Sequence, residues 1–389
     1  MIRALALILA CTVALMGCAQ THKEDGAIRV GAEQFGKYAP LLAGKRVGLV
    51  VNQTSRVQGS HLVDFLLAQQ VNVTTIFAPE HGFRGDHDAG AHVQSGVDAR
   101  TGIPIVSIYG ANKQPAAQEM ADIDVVVFDI QDVGVRFYTY ISSMHYMMQA
   151  SADAGAEFIV LDRPNPNIAY VDGPILDPDF RSFVGMHPIP ILHGMTVGEL
   201  AQMILGEGWL NSDAQLQLSV VPVAHYNRTM KYSLPLKPSP NLPNDQAVGL
   251  YPSLCFFEAT PVSIGRGTDF PFQVMGHDSV ALGDFAFRPR SIVGAAASPK
   301  LQGKLVKGVD LRQSSVRGLD LTWLISAQRQ FAQAQQVLFT RPDFMDKLAG
   351  TDKLRQAITE GHSSEQIKQS WQQPLQQFKR QRAPYLLYP

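Results

Sequence analysis

From residue 45 onward the chain alternates unbroken apolar runs with stretches whose apolar residues recur every three or four positions. The first run, Arg46 to Val51, ends at Asn52-Gln53-Thr54-Ser55. Ser60 then stands where it would cap a helix with Leu62, Phe65, Leu66 and Gln69 along one stripe. Val73 to Phe77 reads as a second strand that ends at Ala78-Pro79-Glu80-His81-Gly82. Ile103 to Tyr109 and Val125 to Asp129 follow, with a short helix around Pro115 to Ala121 between them. A longer helix is predicted from Arg136 to about Asp153, stopping before Gly155, and Phe158 to Asp162 is the fifth strand.

Continuous apolar strands separated by helices imply a mostly parallel sheet covered on both faces, an α/β pattern of Rossmann-like kind. Polar and glycine residues fall after the strands, at their carboxyl ends, which is where open α/β sheets bind ligands. Past about residue 210 the pattern changes. Leu234 to Pro243 holds four prolines and reads as a stiff connector. Gly249 to Gly276 mixes strand-like runs with Gly265-Arg266-Gly267, and Asp320 caps the first of several helices. The expected organisation is a Rossmann-like domain over 45–210 and a smaller α+β domain over 211–389, preceded by a lead-in over 18–44.

The first seventeen residues stand apart. Arg3 precedes an uncharged apolar stretch, Ala4 to Met16, too short to span a bilayer and of the right length for a signal segment. Leu15-Met16-Gly17-Cys18 then resembles the lipobox of bacterial lipoproteins, so 1–17 reads as a signal peptide and Cys18 as the acylated N-terminus. Ala19 at the next position points to the outer membrane if the source is Gram-negative. The expectation is an exported lipoprotein held at a membrane by the lipid on Cys18.

Composition narrows the rest. An apolar fraction of 46% and a charged fraction of 17% describe a well-buried globular chain, and a net charge of -1 offers no electrostatic case for nucleic acid. With Cys11 in the signal and Cys18 lipidated, Cys255 is left alone, which excludes an intramolecular disulfide. There is no G-x-G-x-x-G after the first strand, no G-x-x-x-x-G-K-[ST] and no G-x-S-x-G. Nucleotide binding therefore lacks its phosphate cradle, and a nucleophile-elbow hydrolase is unsupported. No cofactor is expected.

The densest polar segment runs from Pro79 to Gly90. Glu80 leaves a buried strand, so partial desolvation should raise its pKa toward what a general acid needs. Arg84 offers a bidentate fork for an anion, although a Glu80–Arg84 ion pair is the structural alternative. His81, His87, Asp88 and His92 could bind metal, but their spacing matches no helical ligand pair. Asp132, in Asp129-Ile130-Gln131-Asp132-Val133-Gly134-Val135-Arg136, is either a second carboxylate or the cap of the next helix. Asp162-Arg163-Pro164-Asn165 ends the fifth strand in a stiff turn. Thr196-x-x-Glu199 reads as a capping box, whereas His193 is free to meet substrate. Glu258, after an apolar run taken as a strand, is a further carboxylate candidate, with a salt bridge to Arg266 as its alternative.

Taken together, Gly48 to Ser55, Pro79 to Gly85, Asp129 to Gly134, Asp162 to Pro166, His193 to Thr196, Pro238-Ser239-Pro240-Asn241 and Gly265-Arg266-Gly267-Thr268 resemble the exo-β-N-acetylmuramidases, a bacterial family. The resemblance implies a Rossmann-like domain, a smaller α+β domain and an active site in the cleft between them. It also implies release of N-acetylmuramic acid from the non-reducing end of peptidoglycan fragments, with the catalytic glutamate at Glu80. Asp132 and Glu258 are the candidate second carboxylates, unless the acetamide of the substrate replaces them. Asn52, His81, Arg84, Gln131, Arg136, Asp162, Arg163, His193, Asn241 and Arg266 are the expected substrate contacts. Arg84, Arg136 or Arg266 would hold the lactyl carboxylate. A lipoprotein that binds muropeptides without cleaving them, and a metal-dependent hydrolase, stand as alternatives.

Overall fold

The computed structural model describes residues 26–83 and 95–389. Seven strands build one sheet, in the spatial order Gly96–Val97, Pro104–Ser107, Val73–Ala78, Val47–Val51, Val125–Asp129, Glu157–Leu161 and Leu218–Val221. All pairings are parallel except the edge contact of Gly96–Val97. Every residue of Val47–Val51 and Val125–Asp129 is buried, as continuous β-branched runs covered on both faces require. On one face Tyr38, Leu42, Leu62 and Leu66 pack against Leu49, Val51 and Val127. On the other, Met144, Met148 and Leu200 pack against Val50, Val126 and Phe128. Strand order reverses between Val47–Val51 and Val125–Asp129, so the topological switch point lies at their carboxyl ends.

The sheet extends past the expected limit at residue 210, because Leu218–Val221 is its edge strand beside Glu157–Leu161. The lead-in is likewise part of the fold from its first described residues. Arg29 bridges Ala224, and the helix Phe35–Leu42 buries Tyr38 and Leu42. Two predicted helix starts move. Ser60 caps nothing: Ser60–His61 pairs with Arg56–Val57, and the His61 ring accepts the Val63 N–H at the start of Leu62–Ala68. The long helix spans Tyr140–Ala154 rather than starting at Arg136, because Val135 is drawn into a bridge with Leu192 and the Arg136 N–H donates to Ile191. Its stop is as read, with Gly155 left-handed at φ 69°.

The second half carries a three-stranded antiparallel sheet, Val274–His277, Val306–Asp310 and Phe285–Phe287 in spatial order, with helices around it. Strand approach there demands glycine at 308, where a Cβ would meet the Met275 carbonyl oxygen at 1.8 Å. Leu254-Cys255-Phe256-Phe257, taken as a strand, instead closes the helix Asp245–Leu254 and opens a 3-10 turn, Cys255–Ala259. An apolar run buried on every side has no readable period, which is why the run misleads.

One apolar core runs through both halves, joining Val50, Phe77 and Phe128 to Phe256, Leu324, Phe331 and Leu348. Arg136 rivets them together. Its guanidinium, fully buried, donates to the carbonyls of Pro174 and Ile189 on one side and of Leu348 and Ala349 on the other, at 2.7 to 3.1 Å. The halves are thus one packed body with a cleft between them.

Candidate active site

A cleft of about 710 Å³ opens above the carboxyl ends of the strands, where the first half meets the second. Glu80 stands at its wall, two residues beyond the strand Val73–Ala78. The turn that presents it is unusual: His81 and Gly82 both have positive φ, 70° and 77°. A left-handed non-glycine residue must be held by its surroundings. Here the buried His81 ring meets the Ser239 hydroxyl at 3.3 Å, and Phe83 packs edge-on against His61. With its neighbours anchored inward, Glu80 is left half-buried at the cleft. Its carboxylate accepts from the Tyr109 hydroxyl at 2.9 Å and from the Thr139 hydroxyl at 2.8 Å, one on each oxygen. The Tyr140 hydroxyl donates to the Glu80 carbonyl at 3.3 Å. Burial, then the Glu80 charge, raises the Tyr109 pKa, so the phenol remains a donor.

Another part of the lining is cationic. Arg266 lies over the Phe272 ring, 5.1 Å from its centroid, and donates Nε to a Glu258 oxygen at 2.8 Å. Lys300 spends its donors on the carbonyls of Phe257, Glu258 and Thr260, stapling the turn that carries Glu258. Burial alone would push the Glu258 pKa up, but Arg266 and Lys300 outweigh it and hold the carboxyl below its ordinary value. Burial lowers Lys300 to about 8. The side chains of Tyr251, Phe137 and Cys255 complete this wall. Burial raises the Cys255 thiol pKa, which suits a packed residue rather than a nucleophile.

Glu80, His81, Glu258 and Arg266 are therefore brought together, and Asn241 shapes the wall by donating to the Ala295 carbonyl at 2.7 Å. Other expected contacts are committed to the fold. Asn52 accepts from the Thr54 amide and hydroxyl, and Gln131 donates to the carbonyls of Asp132 and Pro164. Arg136 is the rivet described above. Arg163 makes a buried bidentate pair with Asp129 at 2.6 and 2.9 Å. Asp162 accepts from Thr196, Gly198 and Tyr388. His193 is buried with Nδ1 accepting the Met195 N–H, and burial lowers its pKa to about 3.

Asp132 is neither a cleft carboxylate nor a helix cap. It lies buried eight residues before Tyr140, with one oxygen accepting from the Gly134 N–H at 2.6 Å. Its other oxygen has no hydrogen-bond partner among the described residues, and burial pushes its pKa up to about 7. Glu199 does form the capping box with Thr196 and also pairs with Arg228. Cys18, Arg84, His87, Asp88 and His92 lie outside the described residues.

Sequence reasoning missed Tyr109, Thr139, Phe183 and Lys300. Tyr109 could have been found, since it lies two residues past a strand's carboxyl end, as Glu80 does. Thr139, at the start of a helix, Phe183, on an irregular segment, and Lys300, far along the chain, carry no such signal.

Family models describing the N-terminal and C-terminal parts of the exo-β-N-acetylmuramidase NamZ match residues 47–246 and 249–388. The peptidoglycan β-N-acetylmuramidase NamZ of Bacillus subtilis strain 168 is 38% identical, over 90% of this chain and 89% of its own. Two crystal structures of DUF1343 family proteins from Bacteroides fragilis NCTC 9343 superpose over 93% of this chain and 99% of theirs. Their TM-scores are 0.85 and 0.81, at 45% and 29% identity.

Proposed function

The chain belongs to the NamZ family of exo-β-N-acetylmuramidases, and on that premise we propose that it hydrolyses the β-glycosidic bond of a terminal, non-reducing N-acetylmuramic acid in peptidoglycan fragments, with Glu80 as general acid. One observation carries the assignment of Glu80: it is a carboxyl group at the cleft with each oxygen aligned by its own hydroxyl, in a lining that also bears Arg266. Glu258 and Glu80 are the only carboxylates among the described residues lining this cleft, and Glu258 is tied to Arg266. That arrangement favours the acetamide of the substrate as the internal nucleophile. Its carbonyl oxygen attacks C1, the C1–O bond breaks, and the electron pair on the departing oxygen takes the Glu80 proton. Water then adds to C1 of the cyclic intermediate, opening it while the Glu80 carboxylate accepts a proton from that water.

We assign to Arg266 the lactyl carboxylate, the feature that separates muramic acid from glucosamine. Glu258 fixes two of its donors and leaves the remaining edge of the guanidinium for the ligand. Arg266→Ala should lower kcat/KM on an N-acetylmuramic acid glycoside by about 10- to 100-fold. The loss on the matching N-acetylglucosamine glycoside should be far smaller, so the measured ratio of the two substrates falls. An unchanged ratio would remove Arg266 from this role.

The decisive experiment incubates the chain from residue 26 with a defined disaccharide of N-acetylmuramic acid linked to N-acetylglucosamine, and identifies products by mass spectrometry. Free N-acetylmuramic acid supports the proposal. Thermal stabilisation by the sugar with none released would identify a binding protein instead.

We further propose that the protein is exported and anchored through acylated Cys18, a reading supported by Arg3, the apolar stretch and Gly17-Cys18. No helix among the described residues is long and apolar enough to cross a membrane. Cys18→Ser should move the protein from the membrane to the soluble fraction of lysed cells; retention at the membrane would refute the anchor.

A further inference from the structure

Two chemically different groups of the cleft lining are tied to Glu80 through separate contacts. From Glu80 toward the cation, Tyr140 meets Tyr138 at 5.0 Å, Tyr138 meets Tyr251 at 5.9 Å, Tyr251 meets Phe272 at 5.2 Å, and Arg266 lies over Phe272. By a separate set of contacts the Tyr109 phenol holds Glu80, and the Tyr109 ring meets Phe183 at 5.9 Å. Glu80 is thus linked through different neighbours to a guanidinium and to an aromatic ring, all three lining one cleft.

Phe183 is built to stay where it is. It sits in a tight turn closed by reciprocal backbone hydrogen bonds between Ser182 and Gly185. The Ser142 hydroxyl donates to its carbonyl at 2.7 Å, and Tyr146 stacks on it with planes 18° apart. The side chain nevertheless stays half-buried and lines the cleft. Over its ring lies the Lys113 ammonium, 5.4 Å from the centroid. A flexible cation is displaced at little cost, and once displaced it can donate to hydroxyls or carboxylates of whatever covers the ring.

We propose that Phe183 is the platform for the sugar that leaves, the apolar face of its pyranose ring lying on the phenyl ring, with Lys113 donating at the rim. This rests on the glycosidase reading above. If the sugar bearing the carboxylate is held toward Arg266 and Glu80 protonates the bridging oxygen, the residue beyond that oxygen meets Phe183. The ligand class is a neutral pyranose such as N-acetylglucosamine, whose ring presents axial C–H bonds to an aromatic face.

The test compares two substrates that share the same muramic acid half. One is the disaccharide with N-acetylglucosamine; the other is N-acetylmuramic acid β-fluoride, whose leaving group has nothing to stack. Phe183→Ala should lower kcat/KM on the disaccharide by about 10- to 100-fold and leave the fluoride within about threefold of wild type. Phe183→Trp should restore the disaccharide activity, and Phe183→Leu should not, because Leu fills space without offering a flat face. Rescue by Leu as good as by Trp would overturn the platform in favour of a packing role through Tyr109 and Glu80, which would spare the fluoride as well; equal losses on both substrates would overturn it in favour of a role in holding the muramic acid half. So would wild-type disaccharide activity in Phe183→Ala. A wild type inert on both substrates overturns the glycosidase reading and this inference with it, whereas an active wild type isolates the failure to Phe183.

Discussion

Glu80→Gln should lower kcat on an N-acetylmuramic acid β-glycoside by a factor on the order of 10² to 10⁴ while leaving thermal unfolding unchanged. The amide keeps the shape of the carboxyl group and remains a partner for both hydroxyls: Tyr109 or Thr139 can turn to accept from the new NH₂ as readily as it donates to the carboxylate. What is lost is the transferable proton. The loss should therefore shrink as the leaving group becomes more acidic, since a good leaving group departs without protonation. A series of aryl glycosides of graded phenol acidity reads this directly. Wild-type turnover in the variant would dismiss Glu80, and a loss of equal size for every leaving group would assign it a role other than acid.

The second large effect concerns stability. Asp129→Ala should destabilise the protein by about 3–5 kcal/mol, read as a fall in the urea midpoint, because it strands Arg163 in the interior without its counter-ion. Both side chains are shut off from solvent, Asp129 wholly and Arg163 to within 4%, and the pair is bidentate. Replacing both partners together, Asp129→Leu with Arg163→Met, should cost less than the single change, since no charge is then left buried. A single variant as stable as wild type, or a double variant clearly worse than the single, would contradict this account.

How much of this was visible beforehand follows from what each residue depends on. The parallel sheet was readable because Val47–Val51 and Val125–Asp129 are local, continuous and β-branched. Glu80 was readable because the end of a buried strand is a local property too. Arg136, Arg163 and Asp162 were misjudged for a common reason. A charged residue at a strand end looks the same in sequence whether it faces ligand or a carbonyl brought from two hundred positions away, as Leu348 is to Arg136. The pairing of Glu258 with Arg266 could be foreseen from their eight-residue separation. That Lys300 would staple the same turn could not, since it approaches from some forty residues further along.

The last residues of the chain have a consequence for when the protein can finish folding. Tyr388 reaches back to Asp162 and the Val223 amide, and the Pro389 carbonyl accepts from the Arg228 amide, while Ile28 packs near the chain's other end against the same small cluster. Without that phenol, Asp162 loses one of its donors just past the strand that neighbours the sheet's edge. The Rossmann-like half therefore draws part of its packing from outside its own segment, although that segment is synthesised first. Those contacts form only once residues up to 389 have been synthesised, so a chain cut short of them lacks part of that packing. A tag joined at Pro389 would press on the same seam.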